Sequence, residues 1–167
     1  GNAVDAAVAT GFALAVAWPT AGNLGGGGFA VIQTADGRRA ALDYREQAPQ
    51  AASRDMYVRP DGTTGDESIV GWKASGVPGS VAGLLATHAR FGKLPRATVL
   101  APAIRLAREG VVVDTGLYES ILYSRELIAK FAGRSVFLRD GAPPPIGSRL
   151  VQPALARTLE AIAAHGE

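Results

Sequence analysis

The chain has 167 residues, 47% hydrophobic and 19% charged, enough for one domain with a buried core and too apolar for disorder. Its 17 basic and 15 acidic residues leave a formal charge of +2 with no basic block, and few aromatics are available for base stacking, which argues against nucleic acid as a partner. The absence of cysteine excludes disulfides, thiolate zinc sites and a cysteine nucleophile, and His88 and His165 fall in separate predicted helices, so no metal site is expected.

In chain order, Asn2 is a good N-cap and Asp5 sits where a carboxylate favours the positive end of a helix. A helix over Ala3 to Ala17 follows. The apolar stretch Ala3 to Trp18 carries Asp5 and Thr10 and falls short of the roughly 20 residues a membrane span requires. It reads as a buried helix, apolar on nearly every face and rich in alanine, suited to close packing between layers. No cationic leader precedes it, so it is not a signal peptide as it stands, and any targeting segment is expected upstream. Pro19 ends the helix. After the glycines of AGNLGGGGF, Phe29 to Thr34 is strand-like, Ala35-Asp36-Gly37 is a turn signal, and Arg39 to Arg45 returns as the partner of a hairpin.

Gln47 to Gly76 reads as loop, with Met56-Tyr57 and Ile69 to Trp72 as candidate anchors onto a core. A helix from Pro78 or Gly79 to Phe91 places Val81, Leu84, Leu85 and His88 on one face and stops at Gly92. A second runs from Arg96 to Arg108, with Pro102 as a candidate break, and ends at Gly110. A third, capped by Asp114, carries Leu117, Ile121, Ile128 and Phe131 on one side and stops near Gly133. Pro143 to Pro145 form a rigid extended connector, and a last helix spans Pro153 to Ala164.

The glycine run offers a deceptive match. Gly25, Gly27 and Ala30 fit G-x-G-x-x-G/A, with Asp43 and Glu46 further on, as in a dinucleotide fold. Such a loop follows a strand and opens a helix, whereas here a helix comes first and a strand last. No Lys-Ser or Lys-Thr follows for a Walker loop either. Glycines that permit a sharp turn and a close backbone approach fit the context better. Asp43 and Arg45 should share one strand face, with Leu42 and Tyr44 on the other. That pattern suits a solvated ion pair, or a guanidinium fork offered to a carboxylate ligand, and spacing alone does not choose. His88 reads as a packed core residue, and Trp18 and Trp72 as core or interface residues with bonded ring nitrogens. Arg105, Arg108, Glu109, Arg125 and Glu126 read as helix-surface charges, and Asp61-Gly62 and Asp140-Gly141 as turns. There is no Gly-x-Ser-x-Gly elbow and no His-Glu-x-x-His.

The run GNAVDAAVATGFALAVAWPTAGNLGGGGFAVI, followed by ALDYREQAP, closely resembles the start of the large subunit of γ-glutamyltranspeptidases (glutathione hydrolases). GVPGSVAGL, HARFGKLP, PAIRLAREG and LVQPALARTLEAIAAHG agree in order, so the similarity spans nearly all of the chain. Related cephalosporin acylases share these patterns and remain the alternative substrate class. A free-standing noncatalytic module that binds an amino acid or a protein is the alternative of another kind.

The resemblance implies an α+β chain, residues 1–167 forming a single partial domain. This would be a helix-rich, incomplete αββα sandwich of the N-terminal-nucleophile hydrolase type with a β-hairpin, the large-subunit part of a self-cleaving precursor. It implies a threonine nucleophile at the start of the small subunit, with its own amine as base, and an acyl-enzyme passed to water or an amino acid. The small subunit is then the partner, a γ-glutamyl compound such as glutathione the substrate, and no cofactor is called for. Arg45 takes the place of the arginine that binds the glutamyl α-carboxylate. Thr10, Thr20, Thr63 and Thr64 do not match the nucleophile motif, so no catalytic residue is assigned and the chain alone is expected to be inactive. Trp18 stands where the family commonly has an acidic residue, and Tyr44 replaces the more usual phenylalanine. The resemblance implies a periplasmic or secreted location. Apolar surface left by missing strands is expected to favour self-association.

Overall fold

A computed structural model describes residues 1–166. Along the chain come α1 (Ala3–Ala17), β1 (Phe29–Gln33), β2 (Arg39–Asp43), α2 (Ser80–Phe91), α3 (Arg96–Glu109), β3 (Val111–Val112), α4 (Thr115–Tyr123), α5 (Arg125–Ala129), α6 (Arg134–Phe137), β4 (Arg149–Leu150) and α7 (Pro153–His165). The result is a helix-rich α+β chain with small antiparallel sheets. It divides into two compact units, one of Gly1–Leu24 with Leu84 onward, the other of Gly25–Gly83.

In the first unit α3 packs against both α1 and α7. Val8, Phe12, Ala15 and Val16 of α1 are buried, as are Val99, Leu100, Ala103 and Ala107 of α3 and Ala156, Leu159 and Ile162 of α7. A side chain the size of Leu or Phe, fully buried, contributes about 1.5–3 kcal/mol, so this stripe accounts for much of the unit's cohesion. Only one side of α1 is covered: Ala3, Ala6, Ala7, Leu14 and Ala17 are exposed. The sequence expectation of burial on nearly every face is thus corrected. Alanine is the strongest helix former and presents little apolar area, so the uncovered face does not unwind the helix.

Helix α3 runs through Pro102 without a break. The proline lacks the N–H that would bond the carbonyl one turn back, but burial of Leu100, Ala103 and Ala107 holds the helix across that gap. The helix expected to run from Asp114 to near Gly133 is instead two short ones, α4 and α5. Asp114 caps α4 by accepting from the Leu117 N–H at 2.8 Å, and Ser124, at φ −91° and ψ 4°, bends the chain into α5. Leu117 and Ile121 are buried with Val113 and Leu150, and Ile128 packs against that cluster. Phe131 lies past the end of α5. Nothing in the sequence pattern points to the two-residue pairing of β3 with β4, Val111 opposite Leu150 and Val112 opposite Arg149.

Two side chains close helix ends across the unit. Gln152, itself buried, donates from Nε2 to the Val16 carbonyl at 2.9 Å in the last turn of α1. Arg96 donates to the carbonyls of Ala163 and Ala164, both at 2.9 Å, where the C-terminal end of α7 attracts a cation. Arg96→Ala is expected to cost about 1 kcal/mol, a charge-assisted pair discounted for partial exposure, read as a lower denaturant midpoint at unchanged slope.

The second unit is built on the β1–β2 hairpin, paired Phe29 to Asp43, Ala30 to Leu42, Val31 to Ala41, Ile32 to Ala40 and Gln33 to Arg39. Gly37 turns it at φ 84°, which a residue without a Cβ adopts freely. Ala30, Ile32, Ala40 and Leu42 are half-buried, while Phe29, Val31, Ala41 and Asp43 are exposed. Beyond β2 the chain forms two single 3-10 turns, Asp66–Ser68 and Trp72–Ala74, and isolated bridges pair Gln47 with Val77 and Val58 with Thr64. Tyr57 does anchor this loop, donating to the Lys73 carbonyl at 2.9 Å. Ile69 and Trp72, expected as anchors, do not: both are exposed, Trp72 at 87%. Trp18 is exposed as well, so neither tryptophan belongs to the core of this chain.

Candidate functional site

β2 ends at Asp43 because its carboxylate turns back on the chain, accepting the Arg45 N–H at 3.0 Å. The ladder nonetheless continues for one more pair, the Tyr44 N–H reaching the Gly28 carbonyl at 2.9 Å and the Gly28 N–H the Tyr44 carbonyl at 3.4 Å. On the opposite edge, Gln47 exchanges two backbone bonds with Val77, at 3.1 and 2.8 Å. The segment from Tyr44 to Gln47 is therefore anchored at each end by backbone hydrogen bonds.

The alternation expected from the sequence is present: Leu42 and Tyr44 are half-buried, Asp43 and Arg45 exposed. The Arg45 side chain is 64% exposed. Its Nε donates to the Glu46 carboxylate at 3.2 Å, and its guanidinium carbon stands 5.8 Å from the centre of the Phe29 ring. Among the described residues these contacts engage Nε and leave both terminal nitrogens of the fork for a ligand. A bond from its own backbone N–H and then the bond from Arg45 hold the Glu46 carboxyl below its ordinary 4.5, so the neighbouring charge stays ionised at neutral pH. Two parallel N–H groups beside an aromatic face fit a planar carboxylate better than a lysine would.

The order of elements, helix then glycines then strand, is the one that excludes a dinucleotide loop. Among the described residues no group of three or more His, Asp or Glu is placed to hold a metal ion, and no helix is long and apolar enough to cross a membrane. His88 is buried beside Asp5 in the first unit, a packed residue rather than part of the Arg45 cluster. The sequence reading missed Phe29 and Glu46 as neighbours of Arg45. The signal for Phe29 was its place opposite Asp43 in the hairpin register, and for Glu46 its adjacency to Arg45.

Residues 1–167 match the gamma-glutamyltranspeptidase family. The chain belongs to that family. Over 99% of its length it is 48% identical to a glutathione hydrolase proenzyme of Pseudomonas aeruginosa, of which it covers 29%. It superposes on the crystal structure of the Helicobacter pylori gamma-glutamyltranspeptidase with a TM-score of 0.95 at 41% identity, covering 99% of this chain and 48% of that one. An acylase ACY 1 proenzyme of Pseudomonas sp. strain V22 is 42% identical over 99% of the chain, with 31% of the relative covered. The chain thus spans less than a third of the curated gamma-glutamyltranspeptidase-family relatives it matches.

Proposed function

We propose that this chain is the large-subunit part of a γ-glutamyltranspeptidase (glutathione hydrolase) precursor, and that Arg45 binds the α-carboxylate of the γ-glutamyl substrate. The observation that carries the reading is the free end of the Arg45 fork, beside the Phe29 ring and fixed at Nε by Glu46. In this reading the αββα sandwich is completed by the small subunit, which covers the exposed hairpin face with its apolar Phe29 and Val31. A threonine at the start of that subunit attacks the γ-amide carbonyl while its own amine takes the hydroxyl proton. The tetrahedral intermediate expels the amine, the resulting acyl-enzyme is an ester, and water or the amino group of an acceptor amino acid then takes the glutamyl group. Arg45 contributes position: a carboxylate gripped at two oxygens fixes the glutamyl chain and so the carbonyl at its far end.

The acylase relative, at 42% identity, favours a second reading, an amidohydrolase acting on a different acyl group. One assay separates the readings. The complete gene product, after self-cleavage, is expected to release chromophore from γ-glutamyl p-nitroanilide, and residues 1–167 alone to release none. Activity on a glutaryl anilide that exceeds activity on the γ-glutamyl one gives the acylase reading instead. Chromophore release by residues 1–167 alone removes the need for a nucleophile elsewhere.

A further inference from the structure

Arg45 has little around its side chain, but its backbone is crowded. A methyl group built on Gly27 would lie 2.5 Å from the Tyr44 carbonyl oxygen, 2.7 Å from the Arg45 Cα and 2.8 Å from the Glu46 nitrogen. One built on Gly79 would run into the Tyr44 carbonyl oxygen, lie 2.8 Å from its carbon and stand 3.0 Å from the Arg45 carbonyl oxygen. All of these are backbone atoms, with no flexible side-chain end to swing aside. The Tyr44 ring completes the arrangement: it lies where a Cβ on Gly83 would be, and comes within 3.0 Å of the place of one on Gly28. Gly79 and Gly83 are four apart, one above the other at the start of α2, which leaves a bare strip of helix for the ring.

The two jaws are tied to each other. The N–H groups of Gly79 and Ser80 both donate to the Gly26 carbonyl, at 2.8 and 3.1 Å, and the Ser80 hydroxyl donates to the Gly25 carbonyl at 2.6 Å. The glycine run and the first turn of α2 therefore close on the Tyr44–Arg45 peptide from two sides.

We propose that Gly27 and Gly79, with the Tyr44 ring seated on Gly28 and Gly83, are positioning residues for Arg45. The clamp fixes the Cα from which the guanidinium, held at Nε by Glu46, is aimed, so that carboxylate selectivity depends on residues that never touch substrate. This rests on the reading of Arg45 given above. It accounts for three of the four consecutive glycines: Gly26 takes the positive φ of 68°, and Gly27 and Gly28 make room for the arginine strand.

The test compares γ-glutamyl p-nitroanilide with its α-carboxamide counterpart on the complete, self-processed enzyme. The variants are Arg45→Ala, Gly27→Ala, Tyr44→Ala and Tyr44→Phe, together with Gly27→Ala and Tyr44→Ala each in the Arg45→Ala background. Gly27→Ala and Tyr44→Ala are each expected to cut the carboxylate-over-carboxamide preference at least about fivefold, through KM, with carboxamide kinetics within about twofold of the parent. Neither should reduce it further once Arg45 is alanine, because the clamp acts only through that side chain. Tyr44→Phe keeps the ring and should retain the parent preference. Equal losses on both substrates, an unchanged preference, or losses that persist without Arg45 overturn the clamp. If Gly27→Ala does not mature, Tyr44→Ala, which adds no atoms, decides. A preference that Arg45→Ala leaves intact overturns the carboxylate reading itself, a result separate from failure of the clamp.

Discussion

Arg45→Ala in the complete enzyme should lower kcat/KM for a γ-glutamyl anilide by about ten- to a hundredfold, most of it in KM. A bidentate, charge-assisted contact contributes about 1.5 to 3 kcal/mol once the cleft excludes water, and about 1.4 kcal/mol corresponds to a factor of ten. The α-carboxylate does not react, so its contact is equal in ground and transition states and its loss weakens binding more than turnover. Arg45→Lys keeps the charge without the fork and should fall between the two. The α-carboxamide substrate, which offers no anion, should hardly distinguish parent from variant. An unchanged kcat/KM in Arg45→Ala takes the residue out of the site.

How much of this was legible in advance depended on whether the signal was local. Helix α1 was, to the residue, because its cap, its alanine content and Pro19 are all written within the segment. The hairpin was too: Asp36-Gly37 supplies the turn, and a period of two put Leu42 and Tyr44 on one face and Asp43 and Arg45 on the other. Pairing of Val111-Val112 with Arg149-Leu150 was not, since two residues carry no period and the partners meet only through the packing of the helices between them. Of the two places open to Trp18 and Trp72, core or interface, the core is ruled out, because hydrophobicity predicts burial only where something is present to cover it. For Arg45 the period of two set the face, and the proposed role comes from the family resemblance. The clamp was legible only in part, as the close backbone approach expected of the glycine run. What those glycines make room for is a contact across the fold, and no local pattern encodes it.

Asp5 is the clearest case of a residue whose sequence reading was correct and too small. It was taken as an N-terminal helix acid, and it does form a capping box with Asn2: the Asn2 N–H donates to Oδ2 at 2.7 Å and the Asp5 N–H to Asn2 Oδ1 at 3.0 Å. Yet it is only 3% exposed, and its Oδ1 also accepts the N–H groups of Lys93 and Leu94 at 2.9 and 3.2 Å, with His88 Nε2 3.4 Å away. Asn2 adds a bond from Nδ2 to the Phe91 carbonyl at 2.7 Å, so one acid and its cap tie the start of α1 to the end of α2.

Asp5→Asn preserves the shape but places an NH2 group where an oxygen now accepts, leaving at least one buried N–H facing another donor. The melting temperature of the complete protein is expected to drop by about 1–3 °C at pH 7, and by more for Asp5→Ala, which leaves every one of those donors unpaired. The pH dependence gives the sign. Burial works to raise the Asp5 carboxyl, but the N–H bonds from Lys93, Asn2 and Leu94, with nearby His88, outweigh it and hold the group below its ordinary 3.8. A group lowered by folding stabilises fully above its unfolded value and loses that contribution as pH falls through the folded one. The gap in melting temperature between parent and Asp5→Asn should therefore be constant above about pH 5 and narrow below 3.8, as the parent's own carboxylate is protonated. Thermal unfolding followed by circular dichroism from pH 7 down to about 3 reads this directly, and a gap that does not narrow on the acid side means that shape, not charge, holds the junction.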